Sequence, residues 1–229
     1  MQAMEHEQTN GSSQTTARGR VREDVRQLIL SGELKPGTRL AQQHLARRFG
    51  VAQSVIRESL LELQASGLVR SVDNLGLFVC DLDADMLIHA YQVRELIEGL
   101  AARAACECAG RADIRELYEL SDRMHEAALE GRDEARGSLD RQFHQRIVAL
   151  SGNPLLLKLT QGYQMLNMVV QMPRDHELML HEHRAIVEAI EQGDGEEAER
   201  RARRHVVGSR TAIAEAIAQG SFHPRWVHV

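Results

Sequence analysis

Asp140 and His144 stand four residues apart in a run where Phe143, Ile147 and Leu150 supply the apolar side of one helical face. His183 falls in a second such stripe with Ile186, Val187 and Ile190, and His205 in a third with Ala198, Ala202, Ile213 and Ala216. A carboxylate on an apolar face is costly unless it is paired or ligated. One carboxylate with three imidazoles is a nitrogen/oxygen shell that suits a divalent transition metal such as Zn, Ni, Fe or Mn. A single inward histidine is ordinarily a hydrogen-bonded core residue; four such residues on three apolar stripes make convergence on a metal the better account. His89, His125, His176, His181, His223 and His228 read as surface or outer-layer residues, with His181 a rival to its neighbour His183. Cys106-Glu107-Cys108 is not a ligand pair, because residues two apart on a helix point to different sides.

A site with open coordination positions can also catalyse, so a metal-dependent enzyme is the alternative. Against it, His181-Glu182-His183 lacks zincin spacing, and no other nucleophile or acid–base constellation is present; the expectation is a protein that is not an enzyme. Arg94 lies in the stripe Leu87, Tyr91, Arg94, Ile97, Glu98, Ala101 and is a candidate for binding an acidic group of an effector. Its competing reading is an internal pair with Glu98, four residues on.

Six helices are needed to position these side chains, over about 84–109, 112–130, 133–150, 154–172, 176–192 and 195–219. Asn153-Pro154 is an N-cap followed by proline at the first helical position, and Asp194-x-x-Glu197 starts the last helix in capping-box fashion. The result is an all-helical bundle, a fold that builds sites from inward side chains. Composition agrees. Of 229 residues only eight are aromatic and four are proline, which excludes an all-β sandwich or barrel. Three cysteines fit a reducing compartment, and the polar start and lack of a long apolar run predict a soluble, cytoplasmic protein with no membrane partner.

The net charge of −5 hides an uneven distribution. Residues 17–57 carry nine basic against three acidic side chains, a local +6. In the same region Val21, Val25, Leu28 and Ile29 predict a helix over about 20–31, Leu34-Lys35-Pro36-Gly37 a turn, and 41–49 and 53–66 two further helices broken at Gly50. That is a helix-turn-helix pattern. Ile56, Leu60 and Leu63 must face inward, which puts Gln53, Ser54 and Arg57 on the opposite side, where a recognition helix meets base edges. Two β-prone runs flank Asp73-Asn74-Leu75-Gly76 and predict a hairpin wing. The expected organisation is therefore a disordered tail at 1–17, a DNA-binding unit at 18–80 and a helical unit at 83–220.

The stretch Ile29-Leu30-Ser31-Gly32-Glu33-Leu34-Lys35-Pro36-Gly37-Thr38-Arg39-Leu40, with Phe49-Gly50-Val51, Ile56-Arg57-Glu58-Ser59-Leu60, Gly67-Leu68-Val69 and Asn74-x-Gly76-x-x-Val79, resembles the winged-helix domain of GntR-family transcription regulators. The resemblance implies a homodimer on double-stranded operator DNA, with Gln43, Gln53, Ser54, Arg57 and Gly76 at contact positions. Many relatives have Ser-Arg where Ala52-Gln53 stand and a basic residue at Leu75, so the operator sequence is not transferable.

Val93-Arg94-x-x-Ile97-Glu98, Asp140-x-x-Phe143-His144, Ser151-Gly152-Asn153-Pro154, Glu182-His183 and His205 are similar to the FadR-type ligand-binding (FCD) domain in its metal-containing form. Six helices and a short linker look like the VanR-type subgroup. This resemblance implies Asp140, His144, His183 and His205 around Zn, Ni or a similar metal, and a small carboxylic acid as effector. A metal sensor without an organic effector is the remaining alternative.

Overall fold

The computed structural model describes residues 16–30, 32–80, 82–161, 174–221 and 227–228. Nine helices and two short β pairings occur among them. The first helix, α1 (Ala17–Leu30), buries Val21, Val25 and Ile29 and is followed by Gly32 at φ 78°, where Leu34 N–H returns to the Leu28 carbonyl at 2.8 Å. Helix α2 (Gln42–Phe49) stops at Gly50, whose φ of 64° is a conformation that costs glycine little. Helix α3 (Gln53–Ala65) buries Ile56, Ser59, Leu60 and Leu63.

Strands β1 (Val69–Val72) and β2 (Gly76–Val79) pair antiparallel, with Val69 opposite Val79 and Val72 opposite Gly76. Asn74 at φ 60° and Gly76 at φ 105° make the reversal between them. The linker before α2 joins this hairpin: Val79 N–H donates to the Thr38 carbonyl at 2.9 Å, and Leu40 N–H to the Leu77 carbonyl at 2.8 Å. Helices and hairpin close over one core that includes Val25, Leu40, Leu45, Leu60, Leu68 and Val79. This is the expected winged helix.

A second, separate core is built by α4 (Ala84–Cys108), α5 (Arg111–Leu129), α6 (Asp133–Leu150), α7 (Pro154–Gln161), α8 (His176–Glu191) and α9 (Gly195–Ala218). The expected caps form. Asn153 Oδ1 accepts from Leu155 N–H at 3.0 Å and Asp194 Oδ1 from Glu197 N–H at 3.0 Å; Asp175 adds one for α8 through Leu178 N–H at 2.8 Å. Long α4 and α9 pack along one another so closely that a Cβ on Gly99 would stand 2.5 Å from Arg203 Cγ. Helix α6 packs on α4 and α5, and α8 on α5 and α9, which turns faces of α6, α8 and α9 toward a shared interior.

Two residue pairs, β3 (Leu82–Asp83) and β4 (Val227–His228), run parallel beside the bundle. The expected N-terminal tail through residue 15 and the expected continuation of α7 to 172 lie outside the described residues. Ala17, assigned to the tail, is the first residue of α1. No helix among the described residues is long and apolar enough to cross a membrane.

Candidate metal centre and DNA-binding face

His144 comes from α6, His183 from α8 and His205 from α9, and one ring nitrogen of each lies within 4.8 Å of the others. All three are buried, at 7%, 1% and 3% exposure. Their ring centroids are 4.5 to 5.5 Å apart. Asp140, one turn before His144, puts Oδ1 3.7 Å from His144 Nε2 and 3.8 Å from His183 Nε2. Phe143 packs against His183 at 4.6 Å and against His144 edge-on at 5.3 Å, so the centre has an apolar wall. Exposed His181 is not part of it.

Two carboxylates that sequence reasoning did not place there orient the imidazoles from behind. Glu182 Oε2 accepts from His205 Nδ1 at 2.8 Å, while Glu182 Oε1 accepts from Arg174 at 2.7 Å. Arg174 also donates to Ser209 Oγ at 3.1 Å and to the His205 carbonyl at 3.4 Å. On the other side Glu98 Oε2 lies 3.0 Å from His144 Nδ1, and Glu98 Oε1 accepts from Arg94 Nε at 2.8 Å. For His205, a proton on Nδ1 shared with Glu182 leaves Nε2 as the lone-pair donor. No periodicity marks Glu182 or Arg174, because they reach His205 across 23 and 31 positions of chain. Arg94 is engaged as the pair with Glu98 and stands 4.8 Å over the Tyr91 ring.

The electrostatics divide the three imidazoles. Burial, followed by the charges of His205 and His144, pushes His183 well below the usual histidine range. Burial also lowers His205, against the opposing hydrogen bond to Glu182. Burial works in the same direction on His144, but the Glu98 and Asp140 carboxylates override it and raise it to about 9. Burial would raise the carboxylates in turn. Instead His144 holds Asp140 far down, Arg94 and His144 do the same for Glu98, and His205 with Arg174 brings Glu182 to about 2.

The donor set fits a divalent transition metal. His144 Nε2 and His183 Nε2 are buried with no hydrogen-bond partner, a cost a core does not ordinarily tolerate, and both face the same carboxylate. The converging set is the three imidazoles, and Asp140 Oδ1, which stands beside two of them, would add an oxygen to it.

On the winged helix, Gln43, Gln53, Ser54, Arg57 and Gly76 are all exposed. Gln53 Nε2 reaches Gln42 Oε1 at 3.5 Å, tying the start of α3 to α2. No side chain caps α3 at Ala52. Arg39, which sequence reasoning passed over, stands 3.9 Å from where a Cβ on Gly76 would lie. An acid outside the counted stretch offsets part of the basic surplus, since Arg18 and Arg22 pair with Glu62 on α3 at 2.9 and 2.8 Å; Arg48 pairs with Glu33, already in the tally, at 2.8 Å.

Residues 17–79 match the bacterial regulatory proteins of the gntR family, and residues 89–208, more than half of the chain, match the FCD domain. The chain belongs to the GntR family, with an FCD domain. This GntR regulator is 31% identical over 201 residues to an HTH-type transcriptional regulator of Streptomyces ambofaciens, covering 82% of this chain and 79% of the relative. It is 25% identical over 203 residues to the HTH-type transcriptional repressor RspR of Escherichia coli, covering 85% and 86%. Its fold matches E. coli McbR/YncC at a TM-score of 0.69 and 19% identity, over 88% of this chain and 99% of that one. The GntR regulator is thus a DNA-binding transcription regulator and not an enzyme.

Proposed function

We propose that operator affinity is set by a small carboxylic acid held at a divalent metal, Zn or Ni in the first instance and Fe or Mn otherwise, in the His144/His183/His205 centre. The observation that carries this is the pair of buried, unpartnered Nε2 atoms converging from α6 and α8. His144, His183, His205 and Asp140 hold the metal. When bound, it supplies a Lewis-acidic position for an effector carboxylate. Glu98 and Glu182 keep the imidazole lone pairs aimed inward, Phe143 limits water on one side, and Arg94 provides the cationic contact from the α4 side.

Gln43, Gln53, Ser54, Arg57 and the wing at Gly76 meet the operator, joined by Arg39 beside Gly76. Arginine suits guanine, glutamine suits adenine, and serine serves either a base or a phosphate. With Ala17 in α1 the units run 17–80 and 83–220, in a cytoplasmic protein of VanR-like architecture. The regulator acts as a homodimer, as paired half-sites require. Val93, Leu96 and Leu100 support this, being 47%, 59% and 47% exposed on one stripe of α4. An effector acts by binding two arrangements of the dimer unequally. Elemental analysis of purified wild type and His144→Ala tests the centre: metal in the first and little in the second is expected, and equal content would remove His144. If metal alone changes operator binding in a gel shift and no carboxylic acid adds to it, the metal-sensor reading replaces this one.

A further inference from the structure

A small cavity beside the centre, about 10 Å³ and so the size of a single water, has His183 as one wall. Its other polar lining residues are Ser121, His125, Arg136 and His176, on α5, α6 and α8. Arg136 is 5% exposed and Ser121 1%. Arg136 Nε, Ser121 Oγ, His125 Nδ1 and His176 Nδ1 are all buried with no hydrogen-bond partner. The nearest acid to Arg136 is Asp133, 3.7 Å from Nε and half exposed, and Glu177 meets His125 at its far nitrogen, Nε2, at 3.3 Å. Among the described residues no carboxylate lines the cavity itself.

A guanidinium in a core needs a counter-charge, because a buried cation without one costs free energy. Arg94, on the opposite flank, has such a partner in Glu98. Arg136 has none of that quality. A water can meet the hydroxyl and the two imidazole nitrogens, each of which donates or accepts, but it leaves the guanidinium without a counter-charge. A carboxylate accepts about four hydrogen bonds and neutralises the arginine. The Met124 and Met179 thioethers in the lining are deformable, so the cavity can widen around such a group.

We infer that Ser121, His125, Arg136 and His176 form an anion subsite that takes the second acidic group of the effector, making the effector a short dicarboxylic acid. This rests on the centre as the anchor of the first carboxylate. Arg136 precedes Asp140 by one helical turn, so the two acidic groups sit only a few bonds apart.

The test is calorimetric titration of the zinc-loaded, full-length protein with succinate and with butyrate, repeated on Arg136→Gln and Ser121→Ala. Wild type is expected to bind succinate at least about tenfold tighter than butyrate. Arg136→Gln should reduce that preference to within about twofold, at unchanged zinc content, and Ser121→Ala should weaken it in part. The ligand-free Arg136→Gln protein should melt at the wild-type temperature or above, since it loses a charge without a full partner. Equal binding of the two acids by wild type, full preference in Arg136→Gln, or a drop in its ligand-free melting temperature overturns the inference. Each would mean that the cavity holds a buried water only and Arg136 is structural. An Arg136-dependent preference that survives chelation of zinc would sustain the subsite and remove the metal anchor; a zinc-dependent response to both acids alike would do the reverse.

Discussion

Glu182 sits next to His183 in the chain but serves His205, and that division of labour decides which substitutions matter. Removing a carboxylate that orients a ligating imidazole typically weakens metal binding about 10- to 100-fold. Glu182→Ala is therefore expected to lose about that much zinc affinity in competition with a chromophoric chelator, although it donates no ligand atom. An unchanged affinity would show that Arg174 and the helix hold His205 without it. On the DNA face, Arg57 is exposed and belongs to no ion pair among the described residues. If it reads a base edge, Arg57→Ala costs about 1–3 kcal/mol with the operator and little with unrelated DNA. A uniform loss on both DNAs in gel shifts would instead make Arg57 a phosphate contact.

At the scale of elements, the centre depends on three helices keeping their rotation and depth. The α4–α9 contact is the longest of these supports, and Gly99 lets it form. An exposed helical Gly→Ala change normally gains up to about 1 kcal/mol from propensity. Here the new Cβ would stand 2.5 Å from Arg203 Cγ, at the stem of a side chain that Glu95 holds at 3.0 Å. Overpacking of that kind costs about 1–3 kcal/mol, so Gly99→Ala should lower the melting temperature; a rise would mean that the two helices separate freely. Asp194→Ala removes the cap of α9 and should cost about 1 kcal/mol in denaturant unfolding without altering metal stoichiometry.

For the whole molecule, the proposed function has metal and operator act on different cores. A ligand that binds only the folded state stabilises it by mass action, by about 4 kcal/mol at a thousandfold excess over Kd. Chelation is accordingly expected to lower the unfolding transition of the helical bundle and to leave that of the winged helix in place. A single transition that moves as one would show that the two cores unfold together. Net charge bears on DNA in the same way: with −5 overall and several arginines of α1 and α2 already paired to Glu33 and Glu62, non-specific DNA binding should be weak.

The winged helix and most of the bundle were legible in the chain because local rules govern them. Spacing of apolar residues, glycines at 32, 50 and 76, and the caps at Asn153 and Asp194 each act within a few residues. The same spacing marked Asp140, His144, His183 and His205 one stripe at a time. Which stripes meet was for tertiary packing to decide, since helix rotation and depth come from contacts such as Gly99 on Arg203. Charge partners followed the same division. Arg94 and Glu98, four apart, were foreseeable as a pair, whereas Glu98 beside His144, Glu182 beside His205, and Arg136 left without a full partner are facts of three dimensions. A hydrogen bond or a missing one depends on distances of about 3 Å between atoms that the chain keeps dozens of residues apart, and no local pattern records it.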